Sequence, residues 1–181
     1  MPKVVTSREE IIERSGILFL KNGYHATSIA MLSDACQIQK AHFYYYFKSK
    51  EELMRSVLLA THHYFQDEVI LKTIESDLPS NAILNELLTK IESTYIRLGG
   101  CIIGNTLLET SNQPIFKEEL AAFIHLLSNT LIELYYLRFD DMEAAKEKSM
   151  AVIQDIQGGI MLMQLNNDIT YLKNAITRAR Q

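Results

Sequence analysis

The chain has 181 residues, enough to bury a real core as one or two small domains, and 48% hydrophobic with 22% charged residues suits a globular protein. Seven Gly and three Pro are too few for an all-β design, and two cysteines far apart argue against a disulfide framework and for a reducing compartment. The net charge of −4 is unevenly placed: residues 1–55 hold eight basic and six acidic side chains, residues 56–181 ten and sixteen, so one end is suited to meet an anion.

The opening MPKVVTSREEIIERSG has no apolar core of a signal peptide, and Asn, Glu, Arg or Lys interrupts each apolar run, so a cytoplasmic protein with no membrane span is expected. In SREEIIERSGILFLKNGY, Ile11, Ile12, Leu18 and Phe19 recur at helical spacing. Ser7 with Glu10 forms a capping box, and Asn22-Gly23 is a left-handed stop. Gly16 inside this helix is a weak point. Thr27 or Ser28 caps a short second helix whose Ile29 and Leu32 face inward. A tight break at Cys36-Gln37-Ile38 leads to a third helix from about Gln39, and Ser49 with Glu52 opens a fourth. Two short helices joined by a tight break and braced by a first make a helix-turn-helix.

The remainder reads helical throughout. A helix from Lys50 to about Lys72 ends at SDLPSN, near 76–81, and a stripe of Ile83, Leu84, Leu87, Leu88, Ile91, Tyr95 and Leu98 follows. Gly99-Gly100 breaks it before the short CIIGNTLLE helix. After Pro114 come a long helix to about Phe139, another from about Asp141 to Asn166, and a last short one, ITYLKNAITRA. The fold class is all-α, with about nine helices.

The segment KAHFYYYFKSKEE sets three consecutive tyrosines beside lysines 40, 48 and 50. Successive residues of a helix point about 100° apart, so they cannot all enter one core. Ile38, Phe43 and Phe47 fall where they can pack on the first two helices, which turns Gln39, Lys40, His42, Tyr44 and Tyr45 elsewhere. A phenol donates to phosphate oxygen while its ring covers sugar or a thymine methyl, and the first residues of a recognition helix reach base edges. Lys40, with Gln39 and His42, takes the reading role. The tyrosines and Lys50, at the amide-rich start of the fourth helix, take the positioning role.

These residues resemble the TetR-type bacterial transcriptional repressors, in register from Ile11 to about Leu59 at Phe19, Gly23-Tyr24, Thr27-Ser28, Lys40, Tyr44, Phe47 and Ser49-Lys50-Glu51. The resemblance implies backbone contacts from Thr27, Ser28, Tyr44, Tyr45, Tyr46 and Lys50, and base-proximal positions at Lys40, Ala41 and His42. The departures lie in the turn, where Gln37 stands for the usual glycine and Gln39 for Ser or Thr. A left-handed Gln37 costs about 1 kcal/mol over glycine.

The family architecture implies a DNA-binding domain over 1–50 and a helical effector-binding and dimerisation domain over 51–181, with double-stranded operator DNA, a small-molecule effector and a second copy of the chain as partners. The operator expected of a two-fold dimer is palindromic. The sequence supports the dimer independently. Phe123, Leu127 and Leu131 lie on one stripe, while MAVIQDIQGGIMLMQL, with Ile156, Gly158, Gly159 and Met163, is apolar over more than one face. GGCIIGNTLLE resembles a GC–x–x–GN element of one branch of the family, some of whose members respond to electrophiles or oxidants through its cysteine, here Cys101. Tyr95, Asn105, Phe123 and Gln164 are further effector-pocket candidates. Cys36 is expected in the core.

No histidines lie at i, i+4 spacing, so neither metal nor cofactor is expected. A repressor released by a small molecule or thiol-reactive compound is the leading reading, and no enzymatic activity is expected. The alternatives are an enzyme with Cys101 as nucleophile, for which His125 lies in no recognisable motif, and a helical adaptor without DNA binding.

Overall fold

The computed structural model describes residues 7–113 and 115–181, with the backbone alone at Ser80; Pro114 and the N-terminal hexapeptide lie outside the described residues. All regular elements among the described residues are helices, matching the all-α expectation. Helix α1 (Arg8–Asn22) opens on the anticipated capping box, with the Glu10 N–H donating to Ser7 Oγ and the Ser7 N–H to the Glu10 carboxylate, each at 3.1 Å. It closes on Gly23 at φ 82°. A Cβ on Gly16 would lie 3.3 Å from Val57 Cγ1, so this apparent weak point is a place of close helix approach. Helices α2 (Ile29–Ala35), α3 (Lys40–Tyr46) and α4 (Lys50–Tyr64) follow. At the α4 start Ser49 Oγ accepts the Glu52 N–H, while the Glu52 carboxylate takes the N–H of Lys48 rather than that of Ser49.

From α4 the chain continues as a π-helical stretch (Phe65–Leu71) and a last α turn (Lys72–Ile74), where the sequence predicts plain α-helix. Phe65, Val69 and Ile70 are buried along this wider winding. Helices α5 (Ser80–Leu98), α6 (Ile102–Thr110), α7 (Lys117–Phe139), α8 (Met142–Asn166) and α9 (Thr170–Ala179) complete the chain.

Two compact units form, and the chain enters each twice. The first comprises residues up to Thr61 with Ile102–Leu120, the second His62–Cys101 with Ala121–Gln181. Within the first unit, side chains on α4 and in the α1–α2 loop engage residues 109–119. Arg55 bonds the Glu119 carboxylate and the Ile115 carbonyl. The Tyr24 ring meets Phe116 edge to face at 5.0 Å.

In the second unit, Phe65, Tyr95 and Phe123 cluster in the core, with ring centroids 4.9 Å (Phe65–Phe123) and 5.6 Å (Phe65–Tyr95) apart. Helix α9 packs along α8. A Cβ on Gly159 would lie 3.1 Å from Leu172 Cα and 3.2 Å from Ala175 Cβ. Arg178 pairs with Asp155 at 2.8 Å and holds that carboxyl below its usual range. Of the residues expected at a dimer interface, Phe123, Leu127, Leu131, Ile156, Gly159 and Met163 are buried within one chain. Gly158 is half-buried, with open space where a side chain would stand. The apolar width of α8 that suggested a partner chain is largely covered by the protein's own last helix.

Helix α7 is also long and apolar enough to cross a membrane, against the expectation that every run is interrupted. Phe123 and Tyr135 on this helix are fully buried in the protein.

Two outcomes follow from this packing. Phe123→Ala is expected to cost about 3–5 kcal/mol of folding stability in urea denaturation; loss of self-association with unchanged stability would return Phe123 to an interface. Tyr135, buried and donating to the Ala179 carbonyl, has its pKa raised by burial to about 12. The unfolded chain loses that phenolic proton first. Stability is therefore full below the ordinary tyrosine range and falls from about pH 10 towards pH 12, and Tyr135→Phe should flatten part of that fall in a melting series.

Candidate nucleic-acid interface

The reading surface is built on the α2–turn–α3 unit. Ser28 caps α2, its Oγ accepting the Met31 N–H at 3.2 Å. After α2, Gln37 adopts φ 56°, its N–H bonded to Asp34 O and that of Ile38 to Ser33 O, both at 3.0 Å. These two bonds form a Schellman stop with glutamine in the position glycine favours. Gln39 stands at the α3 N-cap without a side-chain bond to the helix, as the missing Ser or Thr predicts.

Phe43 and Phe47 are fully buried, and Arg8 lies over the Phe47 ring at 4.7 Å. Gln39, Lys40, Ala41 and His42 are exposed, with Tyr44 at 53% and Tyr45 at 80%. His42, Tyr45 and Tyr46 form a ring cluster, with centroid distances of 5.3 Å (His42–Tyr46) and 5.1 Å (Tyr45–Tyr46). Tyr46 is half-buried. Lys48, which the sequence reading left out of the site, is also exposed beside this face. The seven residues of α3 span about 10 Å, short enough to sit within a major groove.

Two expected phosphate contacts have other work. The Lys50 ammonium donates to the carbonyls of Tyr24 (2.8 Å), Thr27 (2.9 Å) and His25 (3.4 Å), and lies 4.4 Å from the Tyr24 ring centroid. An ammonium has three donors, and all are engaged. Burial lowers the Lys50 pKa, and the nearby Glu109 carboxylate acts in the opposite direction. Thr27 is buried, its hydroxyl donating to Gly23 O at 2.6 Å. Both residues hold the α1–α2 loop from within. On the same loop, the His25 N–H donates to Glu109 Oε2 at 3.0 Å, and a His25 ring nitrogen lies 3.3 Å from the Glu109 carbonyl. No local signal pointed to this α6 contact.

Of the effector candidates, Cys101 and Tyr95 are brought together in the core of the second unit. Cys101 Sγ lies 3.8 Å from the Tyr95 hydroxyl and 3.8 Å from Gln157 Nε2, all in the second unit, and the thiol is buried. Burial holds the Tyr95 hydroxyl well above its usual pKa. Phe123 shares that core, Gln164 is exposed on α8, and Asn105 belongs to the first unit. A cleft of about 480 Å³ lies elsewhere in the second unit, lined by Asn81, Leu84, Asn85, Leu134, Leu137 and Arg138. It contains none of the expected residues. No metal-ligating cluster occurs among the described residues.

A short exposed helix presenting lysine, histidine and tyrosine after a tight turn is the geometry of a helix-turn-helix reading head. Residues 11–57 match the family of bacterial regulatory proteins, tetR family. It is 26% identical over 183 residues, covering 93% of this chain and 88% of the relative, to an HTH-type transcriptional regulator in the lacX 3′ region of Lactococcus lactis subsp. lactis. It is 27% identical over 94 residues, half of each chain, to the biofilm operon icaADBC HTH-type negative transcriptional regulator IcaR of Staphylococcus aureus. A TetR transcriptional regulator from Legionella pneumophila has the same fold, with TM-score 0.88 at 20% identity, covering 98% of this chain and 97% of that one.

Gln37→Gly should raise stability by up to about 1 kcal/mol, read as a higher melting temperature, because glycine takes the left-handed turn without strain. An unchanged or lower melting temperature would mean that the Gln37 side chain contributes more than its backbone costs.

Proposed function

We propose that the protein is a homodimeric repressor that reads a palindromic operator with α3 and is released from it by a small-molecule or thiol-reactive effector. The observation carrying the DNA reading is the exposure of Tyr44 and Tyr45 beside Lys40 and Lys48, on a helix whose other face is anchored by Phe43 and Phe47. Exposed phenols next to ammonium groups suit phosphate oxygens and thymine methyls. Gln39, Lys40, Ala41 and His42, at the start of α3, lie where base edges are read, while Ser28, Tyr44, Tyr45 and Tyr46 flank the backbone. Repression is carried over from IcaR, a negative regulator by its printed name.

The dimer is supported by surfaces other than the expected stripe. On α7, Ala122, His125 and Asn129 are exposed; on α8, Met150, Ala151, Gln154, Met161 and Leu165 are. The α8 face carries the large apolar side chains Met150, Met161 and Leu165, with exposed Glu147 at one end and Glu118 and Glu133 at the ends of the α7 face, an apolar patch with a charged rim as in a homodimer contact. For the effector, the cleft suits an amphipathic compound with an acceptor group for Arg138, Asn81 or Asn85. Cys101 remains the thiol of the electrophile reading, and its burial requires the core to open before reaction.

Fluorescence anisotropy on DNA from upstream of the gene, against scrambled DNA over a salt series, tests the reading. Specific binding should fall steeply with salt, by a log–log slope of about −0.9 per phosphate contact. Tyr45→Ala should weaken it. Lys40→Ala should cost about 1–3 kcal/mol and relax preference at one base pair of each half-site. Equal affinity for every fragment would leave a helical adaptor, with the tyrosines as a protein-binding face.

A further inference from the structure

The loop of residues 23–27 joins α1 to Ser28, the cap of α2, so its placement sets where the helix-turn-helix begins. Opposite charges from distant parts of the chain meet this one loop. The Lys50 ammonium gathers the carbonyls of Tyr24, His25 and Thr27. The Glu109 carboxylate, 84 residues from His25 in sequence, accepts the His25 N–H. Three carbonyls of the loop thus end on a positive charge and one N–H on a negative one, each of the sign that favours it. Gly23 is required beneath the carboxylate: a Cβ there would stand 2.2 Å from Glu109 Oε1, and its φ of 82° already excludes most side chains. Phe116, from the same 102–120 stretch, meets the Tyr24 ring edge to face, with the Arg55 guanidinium over Phe116 at 5.4 Å.

We propose that Glu109 is a positioning residue for the DNA-reading head: its carboxylate and the Lys50 ammonium hold residues 23–27 between them and so fix the direction in which α2 and α3 are presented. This inference rests on the reading of α3 as the DNA-contacting helix. Glu109 itself touches no DNA in it. The assignment makes the head a structure of two chain segments, with α6 supplying part of the support for α2.

The test uses the full-length chain and the upstream DNA fragment, with melting temperature as a folding control. Glu109→Ala should weaken specific binding on the order of ten- to a hundredfold, the scale of one charge-assisted hydrogen bond, with the salt slope unchanged because no phosphate contact is lost. Glu109→Gln, whose amide oxygen still accepts, should recover part of the loss. Gly23→Ala should weaken binding in the wild-type background and cost less in Glu109→Ala, where the colliding carboxylate is gone and only the φ strain remains. The His25 amide should exchange with solvent faster in Glu109→Ala and near the wild-type rate in Glu109→Gln. This last readout does not depend on DNA. If His25 exchange is unaltered, the clamp is overturned whatever the DNA result. If exchange changes while Glu109→Ala binds as wild type and Tyr45→Ala does not, the clamp exists but does not position the head, which also overturns the proposal. If neither variant nor wild type prefers the fragment, the DNA reading fails and the positioning role fails with it.

Discussion

Burial of Phe43 and Phe47 is the constraint on which the functional face depends. Both rings are at zero exposure, one on α3 and one just after it. With about 100° between successive residues, anchoring them leaves Tyr44 and Tyr45 no route into the same core. The tyrosines are outside because the phenylalanines are inside, and the surface beside Lys40 follows from that rotation. Moving the helix phase by one residue would exchange the two sets.

The orientation of that surface depends on the α1–α2 loop, where a few polar contacts replace regular structure. Thr27 closes the loop on itself through Gly23 O, and Lys50 satisfies the part-buried carbonyls of Tyr24 and Thr27 together with the exposed one of His25. Removing a buried partner in such a cluster costs more than the bond it made, because the remaining groups lose both water and protein. The basic character of the N-terminal region is therefore divided. Lys40 and Lys48 face solvent, while Lys50 is half-buried and structural. Counting lysines near a recognition helix overstates the charge presented to a phosphate backbone.

The second unit teaches a related lesson about apolar stripes. Helix α8 is apolar on more than one face, and such a helix needs two coverings. The short α9 supplies one through Leu172, Ala175 and Ile176, with Gly159 permitting the close approach and Arg178 pinned on Asp155. Whatever covers Met150, Met161 and Leu165 is a separate matter from the stripe that first suggested a partner. Periodicity identifies a buried face without naming what buries it.

Most of the local chemistry was legible in the sequence, although Glu52 turns to the Lys48 N–H rather than closing the second box on Ser49. The Ser7–Glu10 box, the Gly23 stop, the Ser28 cap, the left-handed Gln37 and the uncapped Gln39 all depend on residues within a few positions of one another, so their spacing alone determines them. The helical class and the outward tyrosines follow from the same short-range rules. Tertiary packing decided the rest. It turned Lys50 and Thr27 inward and brought Glu109 to His25 across the chain. It joined residues 102–120 to the N-terminal unit, widened α4 into a π-helical stretch at Phe65, and assigned Phe123 and Gly159 to the protein's own core. Each of these depends on which distant surface arrives opposite a side chain, and that information lies in the summed packing of the helices rather than in any window of the sequence.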